Sequence, residues 1–93
     1  MFYVYILYSD KFDKYYIGQT NDIERRFFEH NNKETNSFTS KYRPWRLVTS
    51  LEFSSRSIAM KAEKYLKNKH RDFLNRVIQE KDLRAYIKER FKS

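Results

Sequence analysis

The sequence predicts an α/β (α+β) fold with a small, three-stranded, mostly antiparallel sheet flanked by helices. Three observations predict it. Two tyrosine-bearing strand patterns, Tyr3-Val4-Tyr5 and Tyr16-Ile17-Gly18, stand on either side of a polar turn. A third β-rich stretch, Arg46 to Phe53, follows a helical segment and a polar loop. Beyond it, apolar residues recur at helical spacing.

Phe2 to Tyr8 is continuously apolar and aromatic, so both faces of this first strand are expected to be covered. Ser9 to Lys14 reads as a turn, and Tyr15 to Gln19 as the second strand of an antiparallel hairpin. If Tyr5 pairs opposite Tyr16 or Gly18, the two tyrosines share a face; a slip of one residue separates them. Gly18 is the only glycine in the chain, and it falls in a strand. Such a glycine marks a bulge or a close approach that forbids a side chain. Asn21 as N-cap with Glu24 three residues later predicts a helix to about Asn31. Asn32 to Pro44 is a polar loop carrying Phe38 and Tyr42, long enough to suggest a binding role. Ser54 and Ser55 then cap a helix from roughly Arg56 to Lys69, with Ile58, Ala59, Ala62, Tyr65 and Leu66 as its apolar stripe. Phe73, Leu74, Val77 and Ile78 predict a further helix. Leu83, Tyr86, Ile87 and Phe91 predict a last one, packed on the body or on a partner.

At 93 residues the chain is read as one domain over residues 1–93, with a core of about 2–79 and a helical extension of about 80–93. A chain of this size buries about two-thirds of its unfolded surface, enough for one core. There is no cysteine, so disulfides and thiolate metal sites are excluded. No apolar run approaches the roughly 20 residues that cross a membrane, and the cytoplasm is the expected compartment. The net charge of +8 is uneven: residues 1–54 carry eight Lys/Arg against seven Asp/Glu, and residues 55–93 carry twelve against five. A basic half beside a neutral half suits a polyanion; the competing reading is a solvated lysine-rich surface.

Arg26 and His30 lie one helical turn apart, at the edge of the face that meets the sheet. From that edge Arg26 could offer a guanidinium fork to a phosphate; the alternative is an ion pair such as Asp22 with Arg26. Glu63 borders the apolar stripe of its helix. It suits Mg²⁺, which commonly takes one or two carboxylates and fills the rest with water and phosphate oxygens; the alternative is an ion pair with Lys67. A general base at Tyr5 would need its pKa lowered from about 10, as a nearby cation can do. On a wheel continued past the helix end, Lys64, Lys67 and Arg71 cluster away from the apolar stripe and could track a phosphate backbone, as could Lys41 and Arg43 in the loop. Phe38, Tyr42 and Trp45 could stack on unpaired bases, although Trp45 beside a strand suits the core better.

The order of these features closely resembles the GIY-YIG nuclease domain, of the small stand-alone bacterial type, over roughly residues 2–79. Tyr3-Val4-Tyr5 stands where that family has Gly-Ile-Tyr, keeping only the tyrosine, whereas Tyr16-Ile17-Gly18 matches the second motif fully. The segment from Asp22 to His30 resembles the family's first helix, with Arg26 at the catalytic arginine. The segment from Ser57 to Lys67 resembles the later helix, with Glu63 at the metal-ligand position, and Ser40 to Trp45 resembles the stretch before the third strand. The resemblance implies a divalent-metal-dependent endonuclease cutting nucleic acid, DNA above all, with Mg²⁺ or Mn²⁺ held by Glu63. Arg26 would then neutralise the phosphorane, Tyr5 activate water, and Tyr16 position or share the proton. His30 would orient the water, bind phosphate or stabilise the helix. With no second domain to read bases, structure-selective cleavage in DNA metabolism or repair is expected, by a monomer or weak dimer. Two other readings stay open: a non-catalytic nucleic-acid binder of the same fold, and an interaction module whose last helix docks a protein.

Overall fold

A computed structural model describes residues 1–33 and 37–92. The centre of the expected polar loop, residues 34–36, and the end of the expected extension, residue 93, lie outside the described residues. The elements run in the order β1 (Phe2–Ser9), β2 (Lys14–Thr20), α1 (Ile23–Asn32), α2 (Phe38–Lys41), β3 (Arg46–Phe53), α3 (Arg56–Lys67), α4 (Arg71–Gln79) and α5 (Lys81–Arg90). The sheet is fully antiparallel in the order β2-β1-β3, with β1 central, as an α+β reading requires.

β1 and β2 pair with Tyr5 opposite Gly18 and Leu7 opposite Tyr16, the register that puts both tyrosines on one face. The turn between them is closed at Asp13, whose φ of 53° lies in the left-handed region that Asp tolerates better than most residues. Its N–H donates to the Ser9 carbonyl at 2.8 Å, and the Tyr8 hydroxyl donates to its carboxylate at 2.7 Å. On the other side β3 pairs with β1 through a bulge, because Ile6 faces Thr49 whereas Leu7 faces Leu47.

Alternation along β1 sends side chains to two different cores. Val4 and Ile6, with Ile17, Leu51 and Phe53, meet Ala59, Ala62 and Leu66 of α3, Leu74 and Val77 of α4, and Ile87 of α5. Tyr5 and Leu7 meet Trp45 on the opposite face, with Tyr16, Phe27 and Tyr42 packed around them. The last helix therefore packs on the body. It begins at Glu80, which also ends α4, and Arg84 donates to the Val77 and Ile78 carbonyls at 2.7 Å each, satisfying the terminal acceptors of α4.

Several expectations are corrected. Asp22, not Asn21, caps α1: its carboxylate accepts from the Arg25 N–H at 3.1 Å, so the Asn21/Glu24 capping box does not form. The expected loop contains the short helix α2. The helix from Arg56 stops at Lys67, and His70 starts a new one, its Nδ1 accepting from the Asp72 N–H at 3.2 Å. The wheel that grouped Arg71 with Lys64 and Lys67 is broken at that junction. Trp45 is buried, its indole N–H donating to the Thr39 carbonyl at 2.7 Å, which removes it from the stacking candidates.

Candidate active site

The site is assembled on the aromatic face of the hairpin. Gly18 leaves the space that Tyr5 needs: a Cβ placed on Gly18 would lie 2.6 Å from Tyr5 Cζ and 3.0 Å from the Tyr16 ring. Gly18 does not have a positive φ, so the demand is steric and not conformational. The Tyr5 and Tyr16 ring centroids are 6.3 Å apart, and α1 lays His30 against both, at 5.8 Å from Tyr5 and 4.9 Å from Tyr16.

Tyr5 is 2% exposed and His30 is 3% exposed. The Tyr5 hydroxyl and His30 Nε2 share a hydrogen bond of 2.7 Å, a polar link in this face of the core. Burial, with the Arg26 charge second, pushes the His30 pKa down to about 4, so the ring is neutral near pH 7. The Tyr5 phenol is held well above its ordinary value, by burial first and by Tyr16 next. The expected lowering by Arg26 exists in sign, since its charge pulls the phenol downward, but desolvation is larger. Glu63 raises the same phenol, which puts its carboxylate within electrostatic reach of Tyr5.

Arg26 is half-exposed and pairs with Glu29 at 3.0 Å, not with Asp22, whose carboxylate is occupied in capping the helix. An open cavity of about 290 Å³ is lined by Tyr16, Arg26, Glu29, His30, Lys33 and Phe38, among others. Phe38 is 45% exposed, and its ring is stacked on Tyr16 at 6.3 Å and 27°. The structure thus brings Tyr5, Tyr16, Arg26 and His30 into one constellation. Glu63 is not part of the cavity wall; it projects from α3 and pairs with Lys67 at 3.1 Å, the alternative raised from sequence.

No cluster of three or more His, Asp or Glu side chains able to hold a metal exists among the described residues. A lone Glu63 carboxylate, whose side chain is 20% exposed and whose charge is felt at Tyr5, fits a hard dication that takes one protein ligand. Its internal ion pair with Lys67 would have to open first.

The five candidate phosphate contacts fall into two groups. Lys41 and Lys64 are exposed and make no ion pair among the described residues. The others are occupied. Arg43 donates from Nε to the His30 carbonyl at 2.7 Å and from Nη2 to the Glu29 and Lys33 carbonyls, so it closes the C-terminus of α1. Arg71 pairs with Asp13 in the hairpin turn and lies 5.3 Å over the Tyr15 ring, and Lys67 holds Glu63.

Two neighbours of the site escaped the sequence reading. Glu29 was detectable as the i+3 partner of Arg26. Asn31 was not: its amide donates to the Trp45 carbonyl at 3.0 Å and accepts from the Trp45 N–H at 2.7 Å, joining residues far apart in sequence.

No helix among the described residues is long and apolar enough to cross a membrane. The chain is similar to a UPF0213 protein of Limosilactobacillus reuteri, 36% identical over 72 residues, covering 75% of this chain and 74% of that one. A UPF0213 protein of Streptococcus pneumoniae serotype 4 is 35% identical over 91 residues, covering 94% and 90%. The solution NMR structure of a UPF0213 protein from Bacillus halodurans superposes with a TM-score of 0.54 at 31% identity, covering 87% of this chain and 86% of that one. The family model described as the GIY-YIG catalytic domain matches residues 1–77. Motif order, fold and this match agree, and the chain belongs to the GIY-YIG family.

Proposed function

We propose that the protein is a divalent-metal-dependent endonuclease that hydrolyses nucleic-acid phosphodiester bonds, acting on DNA and selecting its substrate by shape. The observation that carries this reading is the buried Tyr5–His30 hydrogen bond, set beside Arg26 at the wall of an open cavity. A buried phenol needs one hydrogen-bond partner, which His30 supplies at 2.7 Å; the guanidinium beside it is more than packing requires.

Tyr5 and His30 both begin neutral. Tyr5 takes a proton from the attacking water as its own proton passes to His30 Nε2, so no separated charge precedes the step. Tyr16, packed against both rings, fixes their orientation. Arg26 gives one nitrogen to Glu29 and also interacts with the Tyr5 phenol, and its other N–H groups are left for the phosphate oxygens. Losing such a donor costs about 10²–10³ in rate in comparable sites. Glu63 would hold Mg²⁺ or Mn²⁺, which supplies Lewis-acid stabilisation of the departing oxygen.

Of the five candidate cations, Lys41 and Lys64 have no ion pair among the described residues and can meet the backbone, and Phe38 is an exposed ring at the cavity on which an unpaired base can stack. Lys67, Arg71 and Arg43 contribute only by giving up Glu63, Asp13 and backbone carbonyls respectively. A second reading, a non-catalytic nucleic-acid binder, draws on one observation: Glu63 is tied to Lys67 and stands outside the cavity.

The test is cleavage of a labelled panel (duplex, single strand, flap, four-way junction, RNA) with Mg²⁺ or Mn²⁺. Metal-dependent cutting that Glu63→Ala abolishes is the expected outcome. Tight, salt-sensitive binding with no cleavage of any substrate selects the second reading.

A further inference from the structure

The chain has nine arginines. Seven are engaged within the fold: Arg26, Arg46, Arg71 and Arg76 with carboxylates, Arg43 and Arg84 with backbone carbonyls, and Arg90 with the Tyr65 and Phe91 rings. Arg25 and Arg56 are different. Among the described residues neither guanidinium makes a hydrogen bond, ion pair or ring contact; Arg25 exerts only a through-space pull on Glu29.

Both line the same cavity. It measures about 410 Å³, is open to solvent, and is walled by Gln19, Asn21, Arg25, Arg26, Glu29 and Arg56 among others. Arg25 comes from the first turn of α1 and Arg56 from the start of α3, so only the folded chain brings them together. Three guanidinium groups stand against one carboxylate there, and that carboxylate is already held by Arg26. The surplus charge repels itself until an anion enters. Guanidinium forks flanked by the donors of Gln19 and Asn21 match the oxygens of a phosphate.

This cavity and the Tyr16/His30 cavity share Arg26 and Glu29 as a common wall. The two hollows adjoin at Arg26. We propose that Arg25 and Arg56 form a second phosphate subsite, which holds a non-reacting phosphate of the same strand beside the one that Arg26 contacts. The inference rests on the endonuclease reading of the neighbouring cavity. It makes the protein a reader of strand continuity: a substrate with phosphate on only one side of the scissile bond leaves one hollow empty.

The experiment measures binding of labelled flap DNA to the full chain by fluorescence anisotropy, in EDTA, across a salt series. Arg25→Gln/Arg56→Gln is compared with the charge-matched Lys81→Gln/Lys88→Gln on α5. The first pair is expected to bind at least ten-fold more weakly than the second, and to flatten the log–log salt dependence by about 1, as for one lost phosphate contact. In cleavage it raises KM and leaves kcat near the wild-type value. Arg25→Lys/Arg56→Lys keeps the salt slope but recovers only part of the affinity, because the charge returns without the fork. Unchanged melting temperatures show that folding is intact. Equal losses in the two Gln pairs overturn the subsite, because bulk charge then explains them. Wild-type protein that binds but never cuts overturns the endonuclease reading alone, with the comparison of pairs still deciding the subsite. Wild-type protein that binds no nucleic acid at low salt overturns both.

Discussion

The two faces of the sheet are made of different materials. Beneath Val4 and Ile6 every fully buried side chain is hydrocarbon, supplied by three helices. Beneath Tyr5 and Leu7 the packing is aromatic and wired with polar atoms: Tyr5 to His30, and Trp45 to the Thr39 carbonyl. Hydrocarbon contacts are non-directional and tolerate small adjustments, whereas each hydrogen bond fixes a distance and an orientation. The difference teaches a division of labour. One face holds the chain folded, and the other spends burial on keeping a phenol and an imidazole in register. Arg26 and the Tyr16/His30 cavity open from the second face, while the Arg25/Arg56 cavity also touches Phe2 and α3 of the first.

The largest expected effect breaks the hydrocarbon face. Leu66→Ala removes a fully buried side chain between α3 and the sheet, and should cost about 2–5 kcal/mol. Urea denaturation checks the loss; activity per folded molecule is expected to stay near wild type. A drop in turnover of the folded fraction would show that the faces are coupled.

Next comes acid. Unfolded His30 binds a proton near pH 6.5 but the folded ring does so only near pH 4, so between those values the unfolded chain holds more protons. Stability is then complete above about pH 6.5 and falls as the pH drops toward 4. A gap of this width corresponds to something on the order of 3 kcal/mol. Chemical denaturation at pH 7 and pH 4.5 should show the decline, and His30→Gln should remove most of the His30 share of it. An identical slope in the variant would place the acid sensitivity elsewhere.

The smallest change is one methyl group. Gly18→Ala drives a Cβ into the Tyr5 ring and should destabilise by about 1–3 kcal/mol, as overpacking does. Because the displaced group is the proposed base, cleavage should fall much further than the melting temperature implies. Proportional losses in both would return Gly18 to a purely structural role.

Much of this architecture was legible in the sequence. Strand and helix periodicity set the elements, and the lone glycine in a strand announced a close approach that proved to be the Tyr5 ring. Register was legible only as a condition, since alternation fixes which residues share a face but not which strand positions meet. Cap identity failed at Asn21 because Asp22 offers an equally good acceptor one residue later. The joint at Asn68–His70 was invisible to a helical wheel, which assumes an unbroken helix. Partners were the least legible. Arg43, Arg46 and Arg71 look interchangeable as cations in a linear reading, yet each is committed to an acceptor that only the fold brings near. Arg25 and Arg56 stand out for the complementary reason, by what remains after those commitments are made.

Asn31 forms a two-way bond with the backbone of Trp45, as a neighbouring strand would, while Arg43 grips the last carbonyls of α1. Between them they fasten the chain on both sides of the segment that carries Phe38. In engineering terms this is a cartridge held by two latches. Substitutions on that segment, at Phe38 above all, change what the cavity presents. His30 and Trp45 stay where they are, and only the rim of the cavity is redrawn. A new rim can then be tried on an unaltered frame.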